Sequence, residues 1–573
     1  MKYGYLRPHW PLPAIACLSL SLTACYLSDW KADYQSDVEN GRNYTKTSLI
    51  DQAGNLLLGG SSTVTIDTDA DGQDIVHFQP TLVKLDGAGA QQWVFKFDNG
   101  IRRSTAHLPS EQPITDYQGG AEIQQLATDS SGTIYAAAII PGLNYATDSL
   151  DLDVALFSLS ADGALLWQRV FTEPTQDTTL TLGISASGHL LLATHHYAPD
   201  VEYTSALALN PTDGSTVWRH DHTAGGSVSS PALYAGEYAM PAHRAHATTS
   251  ATRIAISQQI TYVGDSLYVY DDAGNLQWQQ QPAAPLTATD VGTACSGEPS
   301  EINSIGGMAF VGEALILARS RRVYFCTDSV AWWSLERHNS TGETTWALDL
   351  PDPHNPVVND DNIQAYEDWV NGNALSFTPY YIREAFSDVH IVINDTGIFL
   401  ATTGASAYVS PQFASAYVMP VTLTSLVAAV SPNGELRWSK AIDHAPVMRS
   451  LADLDSVQSI WSTVAGLTLT TKGNPVLALN EQTTAGTTTY LRYLYQNTLL
   501  GVSNRLIEFD AASGKQDSFA TEADYLARSV VANAKGVFKS GDNYSYLPAF
   551  QYFVSDGVAD MPAYIHVSHY RKR

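Results

Sequence analysis

Cysteine is scarce in this chain of 573 residues, which contains only four, at positions 17, 25, 295 and 326. A fold held together by many disulfides is therefore excluded. Positive charge is scarce as well, because 31 Lys and Arg residues stand against 58 Asp and Glu residues, for a net charge of −27. Such a surface repels phosphate backbones, so we expect no nucleic-acid partner. The one basic cluster is Arg571-Lys572-Arg573.

The sequence also lacks the short motifs by which many enzymes are recognised. It contains no Gly-x-Ser-x-Gly elbow, no phosphate-binding loop, no His-Glu-x-x-His motif and no dinucleotide fingerprint. Paired carboxylates such as Asp360 and Asp361 are typical of hydrated turns in so acidic a chain. The sequence therefore favours a non-enzymatic protein, and we expect no organic cofactor.

The N-terminus has the pattern of a lipoprotein signal peptide. Lys2 and Arg7 precede a short apolar stretch at 15–24, which is too short to span a bilayer. The stretch ends in Leu-Thr-Ala directly before Cys25, whose thiol would accept the lipid. We predict that residues 1–24 are the signal peptide and that Cys25 is acylated. An ordinary secretory signal is the alternative.

Export sets expectations for localisation and for the remaining cysteines. Tyr26 stands where lipoproteins retained in the inner membrane of enteric bacteria have Asp, so we expect a lipid anchor in the outer membrane. In an oxidising compartment Cys295 and Cys326 are expected to form one disulfide. Closing a loop of roughly thirty residues would contribute about 3 kcal/mol. Two free thiols are the alternative.

One pattern recurs along the chain: an apolar strand, a polar turn ending in Gly, and Trp four residues after that Gly. Six matches exceed chance because only 12 residues are Trp. The Gly supplies the positive φ of a tight hairpin, and the Trp lies on the returning strand with its ring toward the next unit. The pairs are Gly89 and Trp93, Gly163 and Trp167, Gly214 and Trp218, Gly274 and Trp278, Gly342 and Trp346, and Gly434 and Trp438. A seventh copy is degenerate, with Phe519 five residues after Gly514.

A second pattern, a polar turn with Gly leading into a short apolar strand, precedes each Gly-Trp hairpin, as in TGIFLATT at 396–403. Each unit therefore reads as four antiparallel strands, which is the blade of a β-propeller. The predicted fold class is all-β, with a single β-propeller over residues 45–573. Inserted loops are predicted near 220–252, 351–387 and 542–562, where binding residues would concentrate.

The number of blades depends on how the ring closes. After Phe519 the chain offers three more strands without a Trp, and Trp30 could supply the missing strand. Segment 25–44 would then hold a strand that completes the last blade, which gives eight blades and no exposed edge. If that segment is a linker, seven blades and a partial sheet remain. The sequence favours eight four-stranded blades and leaves seven open.

The repeat resembles that of the PQQ-like, or quinoprotein-type, propellers, whose blades end in Ala-x-Asp-x-x-Thr-Gly-x-x-x-Trp. Residues 208–218 are the most similar, with Ala208, Asn210 for Asp, Gly214 and Trp218. Dehydrogenases of this family hold their quinone beside a disulfide between adjacent cysteines, and this chain has no Cys-Cys pair. The resemblance therefore implies the other branch. That branch includes acylated eight-bladed scaffolds similar to the propeller lipoproteins of the outer-membrane β-barrel assembly machinery.

Candidate metal ligands lie in the acidic stretch DTDADGQD, where carboxylates alternate around a Gly in a way that can wrap oxygen ligands around Ca²⁺. These ligands are Asp67, Asp69, Asp71 and Asp74. Integrin-type loops have Asp at the ninth position and EF-hands have Glu at the twelfth, where this chain has Ile75 and Phe78. A solvated hairpin tip is the alternative. The pair His220 and His222 could bind zinc only if a third ligand converged.

Together these features predict a non-enzymatic lipoprotein, anchored in the outer membrane, that acts as a protein-binding scaffold in the cell envelope. Adjacent aromatic residues such as Trp332-Trp333 and Tyr380-Tyr381 could add a contact surface for a protein or a sugar. The alternative is a surface propeller that binds or acts on polysaccharide. Converging titratable groups in a deep pocket would favour an enzyme, and a shallow polar funnel would favour a scaffold.

Overall fold

The computed structural model of the chain consists of β-strands and turns, and the part of the chain that it describes contains no helix. Consequently no described helix is long and apolar enough to cross a membrane. The described residues are 26–34, 42–68, 74–97, 103–104, 121–141, 152–173, 175–198, 201–223, 245–260, 264–281, 300–325, 328–350, 381–408, 421–442, 458–485, 498–523, 526–542 and 565–572.

The strands form eight four-stranded antiparallel blades, which confirms the predicted eight-bladed all-β propeller. In chain order, the strands of blades 1 to 4 are β2 (Arg42–Ile50), β3 (Leu56–Thr68), β4 (Asp74–Leu85) and β5 (Gln91–Lys96), with the short β6 (Arg103–Ser104) paired to β4; β7 (Glu122–Thr128), β8 (Ile134–Pro141), β9 (Leu152–Leu159) and β10 (Leu165–Phe171); β11 (Gln176–Ile184), β12 (Leu190–Ala198), β13 (Val201–Leu209) and β14 (Thr216–Thr223); and β15 (Ala247–Thr249), β16 (Arg253–Ile260), β17 (Gly264–Asp271) and β18 (Leu276–Gln280).

The second half of the ring repeats the same plan. The strands of blades 5 to 8 are β19 (Ser300–Val311), β20 (Ala314–Phe325), β21 (Asp328–His338) and β22 (Thr344–Leu350); β23 (Tyr381–Asn394), β24 (Gly397–Tyr408), β25 (Val421–Val430) and β26 (Leu436–Ile442); β27 (Gln458–Leu469), β28 (Pro475–Ala485), β29 (Thr498–Phe509) and β30 (Gln516–Ala523); and β31 (Leu526–Asn533), β32 (Gly536–Asp542), β33 (Ile565–Lys572) and β1 (Tyr26–Tyr34). One parallel pairing, Gln176 with Leu152, joins the sheets of blades 2 and 3.

The ring closes through the N-terminal strand. β1 pairs antiparallel with β33 from Tyr26 opposite Lys572 to Tyr34 opposite Ile565, and so becomes the fourth strand of blade 8. The first strands of successive blades contact one another around the centre, and β31 of blade 8 contacts β2 of blade 1. At this last contact the hydroxyls of Ser48 and Ser529 lie 2.7 Å apart. The ring therefore has no open edge between blades 8 and 1.

The two faces of the ring differ in their connections. Within each blade, the first-to-second and third-to-fourth strand connections lie on one face, which we call the turn face, and span two to six residues. The other connections lie on the opposite face, which we call the loop face. Connections of ten residues or more all join strand ends on the loop face, and they include 142–151, 224–246, 281–299, 351–380, 409–420, 443–457, 486–497 and 543–564. The antiparallel order places alternate connections on opposite faces, and the sequence puts the long ones on only one of them.

The core is divided into layers between neighbouring blades. Leu57 and Leu82 of blade 1 pack with Ile134 and Phe157 of blade 2, and each following junction has a similar apolar layer. A middle strand is covered on both sides, and every residue of β8 (IYAAAIIP) is buried. Burial on both faces explains why the middle strands read as continuous apolar runs rather than as an alternation of apolar and polar residues.

The Trp of each repeat packs on the turn Gly of the next blade. Trp93, for example, donates its indole N–H to the Ala161 carbonyl at 3.1 Å, beside Gly163. The turn glycines have φ between 66° and 88°, and a Cβ on any of them would lie 2.5–2.8 Å from an indole carbon. Seven contacts of this kind are present: Trp30 on Gly89, Trp93 on Gly163, Trp167 on Gly214, Trp218 on Gly274, Trp278 on Gly342, Trp346 on Gly434 and Trp438 on Gly514.

The junction between blades 7 and 8 has no such contact, because the third and fourth strands of blade 8, β33 and β1, come from opposite ends of the described chain. No turn connects them, so no turn Gly faces blade 7. In blade 7 the register position that Trp438 has in blade 6 is occupied by Ser518, opposite Glu508, and Phe519 lies one residue further along the strand. Its Glu522 reaches across instead and forms ion pairs with Lys539, at 2.8 Å, and with Lys31. The seventh repeat is therefore degenerate in the one blade whose neighbour, blade 8, has no turn on which a Trp could pack.

The Trp contact can be separated from backbone strain by comparing two glycines with the same φ of 87°. A Cβ on Gly434 would meet Trp346, whereas nothing lies within 4 Å of a Cβ on Gly188. We expect Gly434→Ala to lower the free energy of unfolding by about 3 kcal/mol and Gly188→Ala by about 1 kcal/mol, because both strain the backbone and only the first displaces an indole. Denaturant unfolding measures both values. Equal losses would show that the indole places no restriction on the turn.

Candidate functional site

Several predicted site residues lie outside the described residues. These are Cys25, Cys295 and Cys326, together with Asp69 and Asp71. Of the other two candidate calcium ligands, Asp67 pairs with Ile75 and Asp74 pairs with Thr68 on the adjacent strands β3 and β4. Lipidation, the disulfide and the calcium site therefore stay predictions. Among the described residues, no group of three or more His, Cys, Asp or Glu could hold a metal ion.

The His-x-His pair on β14 takes part in the junction between blades 3 and 4. His220 stacks on Tyr270 with ring centroids 4.5 Å apart, and His222 stacks on Tyr268 at 3.6 Å. The Tyr270 hydroxyl is also 2.7 Å from His222 Nε2. Burial, together with the nearby His220, lowers the pKa of His222 to about 4. Both imidazoles are thus committed to aromatic packing between blades.

Blade 3 contains a buried chain of polar groups near the loop face. Asp177 of β11 lies opposite His196 of β12, and its Oδ1 is 2.8 Å from His196 Nδ1. His196 Nε2 is 2.7 Å from the Thr194 hydroxyl, and the ring stacks on Tyr203 at 4.3 Å. Burial raises the pKa of Asp177, while its bond to His196 opposes the rise. The order carboxylate, imidazole, hydroxyl is that of a catalytic triad, but Thr194 is buried between strands.

A second chain with the same order lies where the ring closes. Asp33 Oδ1 on β1 is 2.5 Å from His566 Nδ1, and His566 Nε2 is 3.0 Å from the Ser568 hydroxyl. The Ser568 oxygen is fully buried and lies 3.0 Å from both carboxylate oxygens of Glu522. Since that hydroxyl donates to Glu522 and no substrate can reach it, the chain joins β1 and β33 to blade 7 rather than forming a nucleophilic site.

Lys539 completes this closing cluster. Its side chain is fully buried, pairs with Glu522 at 2.8 Å, contacts Asn504 and lies 5.3 Å from the Tyr570 ring centroid. Burial lowers the pKa of Lys539 to about 8, and the Glu522 charge opposes that shift. A buried ion pair is costly to break because the remaining charge is left without a partner. The cluster therefore replaces the missing Trp contact with a charged one.

The polar chains were not predicted from the sequence, although histidine pairs were visible in it. Asp177 and Thr194 are short polar residues in strands, and nothing in their spacing shows which face of the blade they occupy. Glu522 and Lys539 belong to different blades, and Asp33 meets His566 across 533 positions of sequence. A local signal for such contacts does not exist in a single sequence.

Asp265 is the most strongly perturbed carboxyl group among those described. It lies at the start of β17, accepts the backbone N–H of Ile305 from blade 5, and its Oδ1 has no hydrogen-bond partner among the described residues. Burial raises the pKa of Asp265 to about 7, against that bond and the charge of Arg319. The folded chain therefore holds a proton there that the unfolded chain releases near pH 4.

This difference in proton binding gives a signed pH prediction. Folded Asp265 binds a proton between pH 3.8 and about 7 and unfolded Asp265 does not, so stability falls as pH rises through that window. Asp265→Asn removes the loss and keeps an acceptor for Ile305 N–H. We expect the variant to match the wild type near pH 4 and to exceed it at pH 8 by up to about 4 kcal/mol. Urea unfolding at both pH values checks this, and a variant that is less stable at pH 8 would contradict it.

A cavity in the described part of the chain lies on the turn face between blades 5 and 6. Its volume is about 450 Å³, and its titratable wall residues are Glu313 and Arg337. Trp346 and Arg337 both donate to the Pro432 carbonyl at 3.2 Å, so these walls also hold the two blades together. The cavity offers hydrogen-bonding groups and one aromatic ring. It contains no nucleophile activated by a neighbouring base.

Comparison with known proteins adds only distant likeness. No family model matches the chain, and no curated protein matches it. Among solved structures, Drosophila semaphorin 2a is 6% identical with a TM-score of 0.31, covering 89% of this chain and 75% of that chain. The polysaccharide lyase Uly1 is 10% identical with a TM-score of 0.34, covering 83% and 88%. The exotype rhamnogalacturonan lyase YesX is 10% identical with a TM-score of 0.34, covering 96% and 75%. Function has to be argued from this chain's own residues.

Proposed function

We propose that the chain is a lipid-anchored propeller of the outer membrane that binds a protein partner of the cell envelope and carries out no chemistry itself. The observation that carries the proposal is the asymmetry of the two faces. Long connections all leave from the loop face, and the turn face has connections of two to six residues. Variable connections on a rigid scaffold are the usual location of binding residues.

The position of β1 gives this scaffold an orientation. Tyr26 begins β1 on the turn face, and the predicted acylation site Cys25 directly precedes it. An anchor at Cys25 would therefore hold the turn face toward the membrane. The loop face would then project away from the membrane, toward soluble or membrane-embedded partners. A closed ring of eight blades suits this role because it keeps the loop ends at fixed relative positions.

A binding function is also supported by the chemistry of the buried polar groups. Both carboxylate–imidazole–hydroxyl chains end in buried hydroxyls, those of Thr194 and Ser568, and their members join strands or blades. The cavity between blades 5 and 6 is lined by groups that also hold those blades together. These groups supply rigidity rather than general acid or base catalysis.

Crosslinking capture from the native host, read by mass spectrometry, tests the proposal. The wild type is compared with Cys25→Ala and with a variant in which 351–380, on the loop face, is replaced by a short Gly-Ser link. We expect specific envelope proteins with the wild type, their loss from the loop variant, and their loss or reduction with Cys25→Ala. Asp213→Ala, an exposed change on the turn face, is the control and should retain the partners.

The alternative function, binding or turnover of polysaccharide, is decided by the same preparation. Recovery of glycan without any specific protein would overturn the scaffold proposal and support the alternative. Unchanged partners in the loop-face variant, at wild-type stability, would show that the docking surface lies elsewhere on the ring.

A further inference from the structure

Charge is segregated on the turn face. In blades 1 to 6 the turn-face connections contain no Lys or Arg, and their acidic residues are Asp51, Asp86, Asp129, Asp162, Asp213, Asp272, Glu313, Glu343, Asp395 and Glu435. In blades 7 and 8 the corresponding connections contain Lys472, Lys515 and Lys535 and a single acid, Asp510. The exposed side chain of Arg571, at the end of β33, adds a fourth positive group. We call Lys472, Lys515, Lys535 and Arg571 the basic sector.

The basic sector is unusual for this protein, whose net charge is −27. Lys472, Lys515 and Lys535 are exposed, and the charge of Lys515 helps to lower the pKa of Asp510, after the hydrogen bonds from Ser513. Arg571 pairs with Asp29 at 3.1 Å but keeps 57% of its side chain exposed. The strand ends beside the acidic turns of blades 1 to 6 carry Arg253, Arg337 and Arg437, of which Arg253 pairs with Glu313 and Arg337 donates to the Pro432 carbonyl. In blades 7 and 8 the four positive groups outnumber the acids beside them, Asp29 and Asp510, so the charge there is opposite in sign to that of the whole molecule.

The basic sector lies where β1 begins. Leu27 pairs with Arg571, and Tyr26 pairs with Lys572, so the first residues of β1 are adjacent to the sector. Lys535 is close as well, because its Nζ lies 2.6 Å from where a Cβ on Gly87 would be. Gly87 also contacts β1, because its carbonyl accepts the indole N–H of Trp30 at 3.3 Å.

We propose that the basic sector contacts the headgroups of anionic phospholipids in the membrane that holds the anchor. The inference rests on the proposed anchor at Cys25 for its orientation, because that anchor would bring the start of β1 to the bilayer. Lysine and arginine side chains within a Debye length of an anionic leaflet are attracted to it, at roughly fivefold in binding per residue. The acidic turns of blades 1 to 6 are repelled by the same surface. The ring therefore stands tilted, with blades 7 and 8 toward the membrane.

A first experiment tests the basic sector without the lipid anchor. It uses the chain from residue 25 onward with Cys25→Ala, which contains all the described strands. Its flotation with phosphatidylglycerol vesicles is compared with flotation on phosphatidylcholine vesicles. We expect binding to the anionic vesicles alone, lost at about 1 M salt, where the Debye length is about 3 Å. Lys472→Glu/Lys515→Glu should weaken this binding at least roughly tenfold. The matched control, Lys46→Glu/Lys440→Glu, makes similar changes at exposed lysines outside the sector and should bind like the parent.

A second experiment tests whether the basic sector contacts the bilayer when the protein is held by its anchor. Acylated wild type in phosphatidylglycerol vesicles is treated with an amine-reactive label, and we expect lower labelling of Lys472, Lys515 and Lys535 than in detergent, with Lys440 unchanged. Equal labelling of all four lysines, or equal vesicle binding by the two charge variants, would overturn the proposal. Binding to an acidic polysaccharide but not to vesicles would also overturn it. Failure of the wild type to float on neutral vesicles would count against the anchor, and the Cys25→Ala experiment would still decide the sector.

Discussion

The packing of a Trp ring on the turn Gly of the next blade is the contact on which the rest of this propeller depends. It fixes three things at once: the left-handed turn, the close approach of two blades, and the partner of the indole N–H. A side chain at Gly163 would violate two of these, since the backbone has a φ of 82° and the ring of Trp93 occupies the space of a Cβ. The same contact at seven of the eight junctions holds neighbouring blades together, while the loop-face connections vary in length. A chain of this size can therefore carry large insertions without losing the ring.

The junction between blades 7 and 8 lacks that contact, and this explains both the degenerate seventh repeat and the buried ion pair at the closure. Blade 8 is assembled from both ends of the described chain, so it has no turn between its third and fourth strands, and blade 7 has no Trp to direct at one. The junction is held by Glu522 and the buried Lys539, with the Asp33–His566 bond joining β1 to its neighbour. Closure thus combines backbone pairing with a buried ion pair, which is costly to break because the remaining charge is left without a partner. The same strand begins directly after Cys25, so the predicted membrane attachment and the ring closure would involve one element.

Two polar chains in this protein have the atom order of a catalytic triad and lack its exposure. In blade 3 the terminal hydroxyl is that of Thr194, and at the closure it is that of Ser568, both buried. Inside a protein, buried polar groups need partners, and a His between a carboxylate and a hydroxyl provides one to each of them. The resemblance is thus a consequence of satisfying hydrogen bonds between strands of a wide, mostly apolar sheet. Whether such a chain is reactive depends on access to solvent and substrate, which its atom order does not specify.

The sequence by itself determined the repeat and the four-stranded blade, because turn glycines, the Gly-to-Trp spacing and apolar strand runs are local properties of the chain. It favoured eight blades over seven, and the pairing of β1 with β33 decided for eight. It also indicated that Trp30 could complete the last blade. Tertiary structure alone decided that His220 and His222 stack on tyrosines of the next blade, that Asp265 is buried against Ile305, and that three turn lysines and Arg571 gather beside β1. These relations join residues from tens to hundreds of positions apart, as Ser48 meets Ser529 across 481 positions. Closing the ring brings them together, and no local periodicity records which side chains then face each other.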